Sequence, residues 1–224
     1  MRHDSWLLWL LWLAAGIAVV ALLLGLWRWG RNSGKDRCIV LRVESDAESG
    51  GTVEIVDAAC QEGLPHTTDE NTIRMTEAVW ASERRESVLT HERVHLDQKR
   101  QPREWEAFYE REWGYTLSAT PPVSLPNQIR PNPDTAAKPW ALWRGRWLFF
   151  PEAADTLKDA PVRVWDTKEA VKSEPPSEWK AFFCGSRGCP HQYEHPHELS
   201  AEMLTEGDDS DAATRLFTWR NTKV

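Results

Sequence analysis

The pattern of apolar and polar positions divides the chain into segments of different kinds. Residues 6–27 read WLLWLLWLAAGIAVVALLLGLW without a charge, and as a helix this stretch would span roughly 33 Å, enough to cross a bilayer. Trp6, Trp9, Trp27 and Trp29 near its ends suit interfacial aromatic belts, while Trp12 would sit deeper. The run is too long for a signal-peptide core, and no small-residue cleavage site follows before Trp27. Residues 1–30 are therefore expected to form an uncleaved transmembrane anchor and 31–37 a linker.

Beyond the linker the periodicity changes. CIVLRVE and TVEIVDA alternate around the turn-like SDAESGG and predict a hairpin, and TIRM (residues 72–75) predicts a third short strand. Residues 86–100 have a helical pattern, and Pro102 is placed to open the next helix. That helix, REWEAFYEREW, carries Trp105, Phe108, Tyr109 and Trp113 at spacings of three and four, a stripe that should be buried. Residues 120–139 contain six prolines and no periodicity, which predicts a long irregular loop. WALW-RG-RWLFFP then reads as a hairpin and PVRVWD as a strand, with helices around 176–183, 196–206 and 211–220. Trp140, Trp143 and Trp147 are expected to pack rather than to form a binding platform.

Charge refines this picture. Arg2 alone precedes the apolar run, whereas Arg28, Arg31, Lys35 and Arg37 follow it, so the positive-inside rule places the C-terminal part in the cytoplasm. Without residues 1–37 the chain holds 22 basic and 32 acidic side chains, a net charge of −10 that disfavours nucleic acid as a partner. In the cytoplasm Cys38, Cys60, Cys184 and Cys189 should be thiols; outside it, Cys38 with Cys60 and Cys184 with Cys189 are plausible disulfides. Cys184, Cys189, His191 and His195 could alternatively hold a structural zinc, although their spacing matches no common finger.

The chemistry concentrates in VLTHERVHLDQ, residues 88–98. Side chains four apart on a helix share a face, so His91 and His95 can offer two imidazole nitrogens to one ion, with Glu92 at the edge of the same site. Val88, Leu89 and Val94 can bury one side of that helix while the histidines face a cleft. The pattern is H-E-x-x-H, in which the glutamate is the general base for a metal-activated water. A third ligand is then needed. Glu106 in REWEAFYE is the nearer candidate and Glu198 in EHPHELSAEMLTEG the farther one.

On these residues the sequence resembles the zincin metallopeptidases, and ELSAE (residues 198–202) resembles the E-x-x-A-E segment of their lethal-factor-like gluzincin branch. The resemblance implies an α+β architecture, namely a single N-terminal transmembrane helix followed by a zincin-like domain, residues 38–224, with a small β-sheet and active-site helices. It implies a Zn2+ cofactor held by His91, His95 and Glu198, with Glu92 as catalytic base and Glu202 steadying a ligand histidine. It also implies a tyrosine near the oxyanion, for which Tyr193 is the nearest match among His191, Tyr193, His195 and His197, and it gives TIRM the part of the strand that pairs with extended substrate. The gap of 103 residues between His95 and Glu198 departs from the family pattern and makes residues 120–165 an insertion. The function so implied is a membrane-anchored zinc metallopeptidase acting on a peptide or protein, its oligomeric state unspecified; the alternative is a catalytically idle, membrane-tethered binding or scaffold protein with a structural metal or none.

Overall fold

The computed structural model describes residues 38–125, 129, 132–156 and 160–223. The expected hairpin is present: β1 (Val40–Asp46) and β2 (Gly51–Val56) pair antiparallel across a tight turn. β4 (Thr72–Thr76), which contains TIRM, runs parallel to β2, and the two-residue β3 (His66–Thr67) pairs antiparallel with β4 on its far side. The order β1-β2-β4-β3 therefore makes β3, not TIRM, the strand at that edge.

A short α1 (Glu77–Trp80), capped by the Thr76 hydroxyl, leads to α2 (Arg85–Arg100), which carries the H-E-x-x-H residues. Leu89 and Leu96 of α2 pack on Val53, Ile55, Ile73 and Met75, an aliphatic core beneath the first sheet. Val94, on another side of α2, belongs to a different and mainly aromatic core. α2 is thus wedged between two hydrophobic clusters and leaves a third face for polar side chains.

Pro102 opens α3 (Pro102–Phe108), where its missing N–H costs nothing, and the helix widens into a π-turn at Tyr109–Trp113. Gly114, at φ 76°, supplies the left-handed residue that reverses the chain into β5 (Tyr115–Ser118). β5, β6 (Trp140–Trp143), β7 (Trp147–Pro151), β8 (Val162–Asp166) and β9 (Val171–Ser173) form an antiparallel meander in chain order. Phe149 and Trp143 face the aromatic core; Leu148, Phe150 and Trp140 face the opposite way and are covered by Val123, Leu125 and Ile129. Covering the second face of this sheet is one task of the proline-rich stretch.

The chain ends in α4 (Ser177–Phe183), α5 (Pro196–Glu206) and α6 (Asp211–Asn221), close to the three helices expected from the sequence. Leu199, Ala201 and Met203 root α5 in the aromatic core with Trp179 of α4 and Leu216 of α6.

Two expectations about architecture are corrected. In place of one small sheet there are two, of four and five strands, accompanied by six α-helices among the described residues. No helix among the described residues is long and apolar enough to cross a membrane, so the expected spanning helix is not part of the described architecture. The apolar run at 6–27 itself lies outside the described residues. Both cysteine pairs are disulfides, Cys38–Cys60 and Cys184–Cys189, and neither pair is the thiol pair expected of a cytoplasmic domain.

Candidate metal centre

The H-E-x-x-H residues lie on α2, and their four-residue spacing puts both imidazoles on the face opposite α5. His91 Nε2 and His95 Nε2 are 3.1 Å apart. Glu198, in the first turn of α5, brings Oε2 to 3.4 Å from each of them. Of the three side chains, His91 is 19% exposed while His95 and Glu198 are almost wholly buried at 1% and 2%, so the centre opens to solvent on the His91 side.

These distances can be tested against a metal. Four donors at zinc bond lengths in a tetrahedron are separated by about 3.3 Å. The three edges here are 3.1, 3.4 and 3.4 Å, and two imidazole nitrogens with one carboxylate oxygen are a donor set that zinc accepts. The residues present fit the ion.

Electrostatics follow from burying these groups together. Burial opposes protonation of His95, but the Glu198 carboxylate, with Asp134 and Glu92 nearby, pushes it up to about 10. Burial acts against Glu198 in turn, and the imidazoles of His95 and His91 hold it well below the ordinary carboxylate range. Glu92 is shifted the other way. Burial raises it well above the usual value, the neighbouring Asp134 adds to this, and its Oε2 has no hydrogen-bond partner among the described residues. Glu92 and Asp134 form with His95 a second compact group of donor atoms, which shares that histidine with the three candidate ligands.

The segment 132–138 completes the surroundings. Asn132 Nδ2 donates to Glu198 Oε1 at 3.0 Å, which leaves Oε2 to face the imidazoles. Asp134 accepts from the Thr67 amide at 2.9 Å and from Lys99 Nζ at 3.0 Å, and Lys99 also donates to the Thr67 carbonyl at 2.7 Å. The outward backbone groups of Thr67 are thereby taken, and TIRM is covered by β3. Among the described residues TIRM is therefore not the open edge strand expected to pair with extended substrate.

Glu106, the competing ligand candidate, turns away and binds Lys138 Nζ at 2.6 and 2.7 Å. Glu202 accepts from the amides of His191 and Gln192 at 2.9 Å or less, so it steadies that loop rather than a ligand histidine. Tyr193 packs against Trp179 and Phe149, with ring centroids 5.6 and 6.3 Å away, and burial raises its phenol; no hydrogen bond joins it to His91, His95 or Glu198 among the described residues. His195 caps α5 by accepting from the His197 amide and donates from Nε2 to the Lys138 carbonyl, and burial pushes it down to about 4. With Cys184 and Cys189 joined, the structural zinc considered for Cys184, Cys189, His191 and His195 has no ligand set.

Three residues close to the centre escaped the sequence reading. Gln98 accepts from His95 Nδ1 through Oε1 at 2.7 Å, and its position three residues after His95 was a usable signal. Asn132 and Asp134 gave no signal, because an irregular loop does not announce which helix it will meet. Neither a family model, nor a curated protein, nor a solved structure matches this chain.

Proposed function

We propose that the chain is a zinc-dependent hydrolase of the peptidase type, in which His91, His95 and Glu198 hold the ion and Glu92 is the general base. The observation that carries this reading is the triangle of donor atoms with edges of 3.1, 3.4 and 3.4 Å, drawn from two helices far apart in the chain. When bound, zinc supplies Lewis acidity toward a carbonyl oxygen and lowers the pKa of water toward neutrality.

The remaining work falls to side chains. His91 and His95 would offer their Nε2 lone pairs to the ion, and Asn132 orients Glu198 toward them. Glu92 takes the proton of the attacking water and passes it to the leaving amine. Its raised pKa suits it to carry that proton between the two steps. The two disulfides support an oxidising compartment for the described domain rather than the cytoplasm.

One observation favours a second reading, that of a binding domain with a structural metal: the backbone groups of Thr67 that an extended peptide would use are occupied by Asp134 and Lys99. Metal analysis together with Glu92→Gln separates the two. Under the first reading the purified protein carries one zinc per chain and cleaves a mixed peptide library, and Glu92→Gln keeps the zinc but loses cleavage. A zinc-loaded wild type that cleaves nothing supports the second reading, and wild-type zinc content in Glu198→Ala would overturn the site itself.

A further inference from the structure

We propose that Gln98 is a positioning residue that sets His95 and Glu198 in register with each other, an inference that rests on the zinc reading above. One buried carboxamide uses both of its ends. Oε1 accepts from His95 Nδ1 at 2.7 Å, while Nε2 lies 2.9 Å from Ser200 Oγ, 3.1 Å from the His197 carbonyl and 3.2 Å from Tyr109 Oη.

The first end selects the working edge of the imidazole. A proton held on Nδ1 by the Gln98 carbonyl leaves Nε2 as the lone pair facing His91 and Glu198. Without that partner, a half-turn of the buried ring would put carbon where the donor atom belongs. The second end reaches the helix that delivers the carboxylate. His197 and Ser200 flank Glu198 in the first turn of α5, so the amide that orients one ligand also holds the backbone of another.

The surplus of acceptors is resolved by two hydroxyls. Ser200 Oγ donates to the His197 carbonyl at 2.9 Å, and Tyr109 Oη lies 2.8 Å from Ser200 Oγ, so a small closed network absorbs every group around the amide. Tyr109 stands at the start of the π-turn after α3, which brings a third element into the same arrangement.

The substitutions separate the two ends. Gln98→Leu removes both. Gln98→Glu keeps an oxygen for His95 Nδ1, but its second oxygen can only accept, so the Ser200 and Tyr109 hydroxyls must turn toward it and the His197 carbonyl loses the donations of both Gln98 Nε2 and Ser200 Oγ. Ser200→Ala disturbs the far end alone. Zinc affinity is measured by competition with a chromophoric chelator, and melting is followed with and without zinc. Gln98→Leu is expected to weaken zinc binding about 10- to 100-fold and to shrink the zinc-induced rise in Tm. Gln98→Glu and Ser200→Ala are expected to melt at lower temperature without metal yet to keep zinc affinity within about fivefold, the partner of His95 being retained. Wild-type zinc affinity and a wild-type zinc-induced rise in Gln98→Leu would overturn the proposal. If that variant does not fold, the nitrogen–proton correlation of His95 in the zinc-loaded wild type decides, and an Nδ1 without an attached proton overturns it. A wild-type protein that takes up no zinc would instead overturn the reading on which the inference rests.

Discussion

Two of the hydrophobic cores among the described residues differ in kind, and the candidate centre lies on the seam between them. The core beneath the four-stranded sheet is small and aliphatic, and it holds the helix of His91 and His95 through Leu89 and Leu96. The larger core beneath the five-stranded sheet is aromatic, and it holds the helix of Glu198 through Leu199, Ala201 and Met203. Each core fixes one part of the donor set, and Val94 is one contact through which the histidine helix also touches the aromatic side. The donor triangle therefore reports on how the two cores are packed against one another, which neither helix specifies alone.

The sharpest test of this division concerns which carboxylate completes the set. Glu198→Gln should reduce zinc affinity by about three orders of magnitude or more, a loss of at least about 4 kcal/mol. Glu106→Gln should leave it unchanged, since Glu106 is engaged by Lys138. Chelator competition on both variants checks the contrast. The reverse pattern would move the third ligand from α5 to α3 and remove the aromatic core from the account.

The next test weakens each core in turn. Trp179 is fully buried, stacks on Phe183 and Phe149, and donates from Nε1 to Tyr115 Oη at 2.7 Å. Trp179→Ala should cost about 3–5 kcal/mol of stability in denaturant titration. Leu96→Ala should cost about 2–5 kcal/mol. The two should differ in their effect on the centre. Leu96 is the residue next to His95 in the chain, so its cavity can tilt the ring directly, whereas the contacts of Trp179 are to Phe149, Phe183, Tyr193 and Tyr115, none of them a ligand. Zinc affinity of the folded protein should therefore fall in Leu96→Ala and stay near wild type in Trp179→Ala.

How much of this could be read from the chain follows the same division. The histidine pair was legible because a four-residue spacing on a helix is local geometry, and the β1–β2 and β6–β7 hairpins were legible because their turns are short. Glu198 was reached through a five-residue resemblance, and its arrival at the histidines depends on α5 packing in the aromatic core. The two-residue β3 carries too little pattern to be seen, which is why TIRM was taken for the edge strand. Asn132 and Asp134 were hidden for a related reason. Their place is set by how the proline-rich stretch covers the second sheet, and no periodicity in residues 120–139 encodes that.

A smaller effect should appear with pH. In the metal-free protein His95 is held up from 6.5 to about 10, so the stability it gains from Glu198 is fully present below 6.5 and is lost as pH rises toward 10. Glu198 is held below 4.5, so its share is present above 4.5 and is lost as pH falls through its lowered value. The pair thus stabilises the metal-free seam most between those limits. Zinc must displace the His95 proton, so apparent affinity should rise about tenfold, or about 1.4 kcal/mol, per pH unit between 6.5 and 8.5. Calorimetry in buffers of different ionisation enthalpy should register the released proton. A flat profile would mean that the two helices are not coupled through a charged pair before the ion arrives.

The smallest effect is expected at Glu202, one helical turn beyond Glu198 on α5. Its carboxylate holds the amides of His191 and Gln192, at 2.8 and 2.9 Å, in the loop that leads into this helix. Glu202→Gln replaces one acceptor oxygen by a donor and should cost about 0.5–1.5 kcal/mol of stability, the ordinary worth of a hydrogen bond. Zinc affinity should stay within about twofold, because His195 caps the helix independently of Glu202. A tenfold loss of zinc in this variant would show that the loop and the ligand move together. The aromatic side would then position Glu198 through its leading loop as well as through its core.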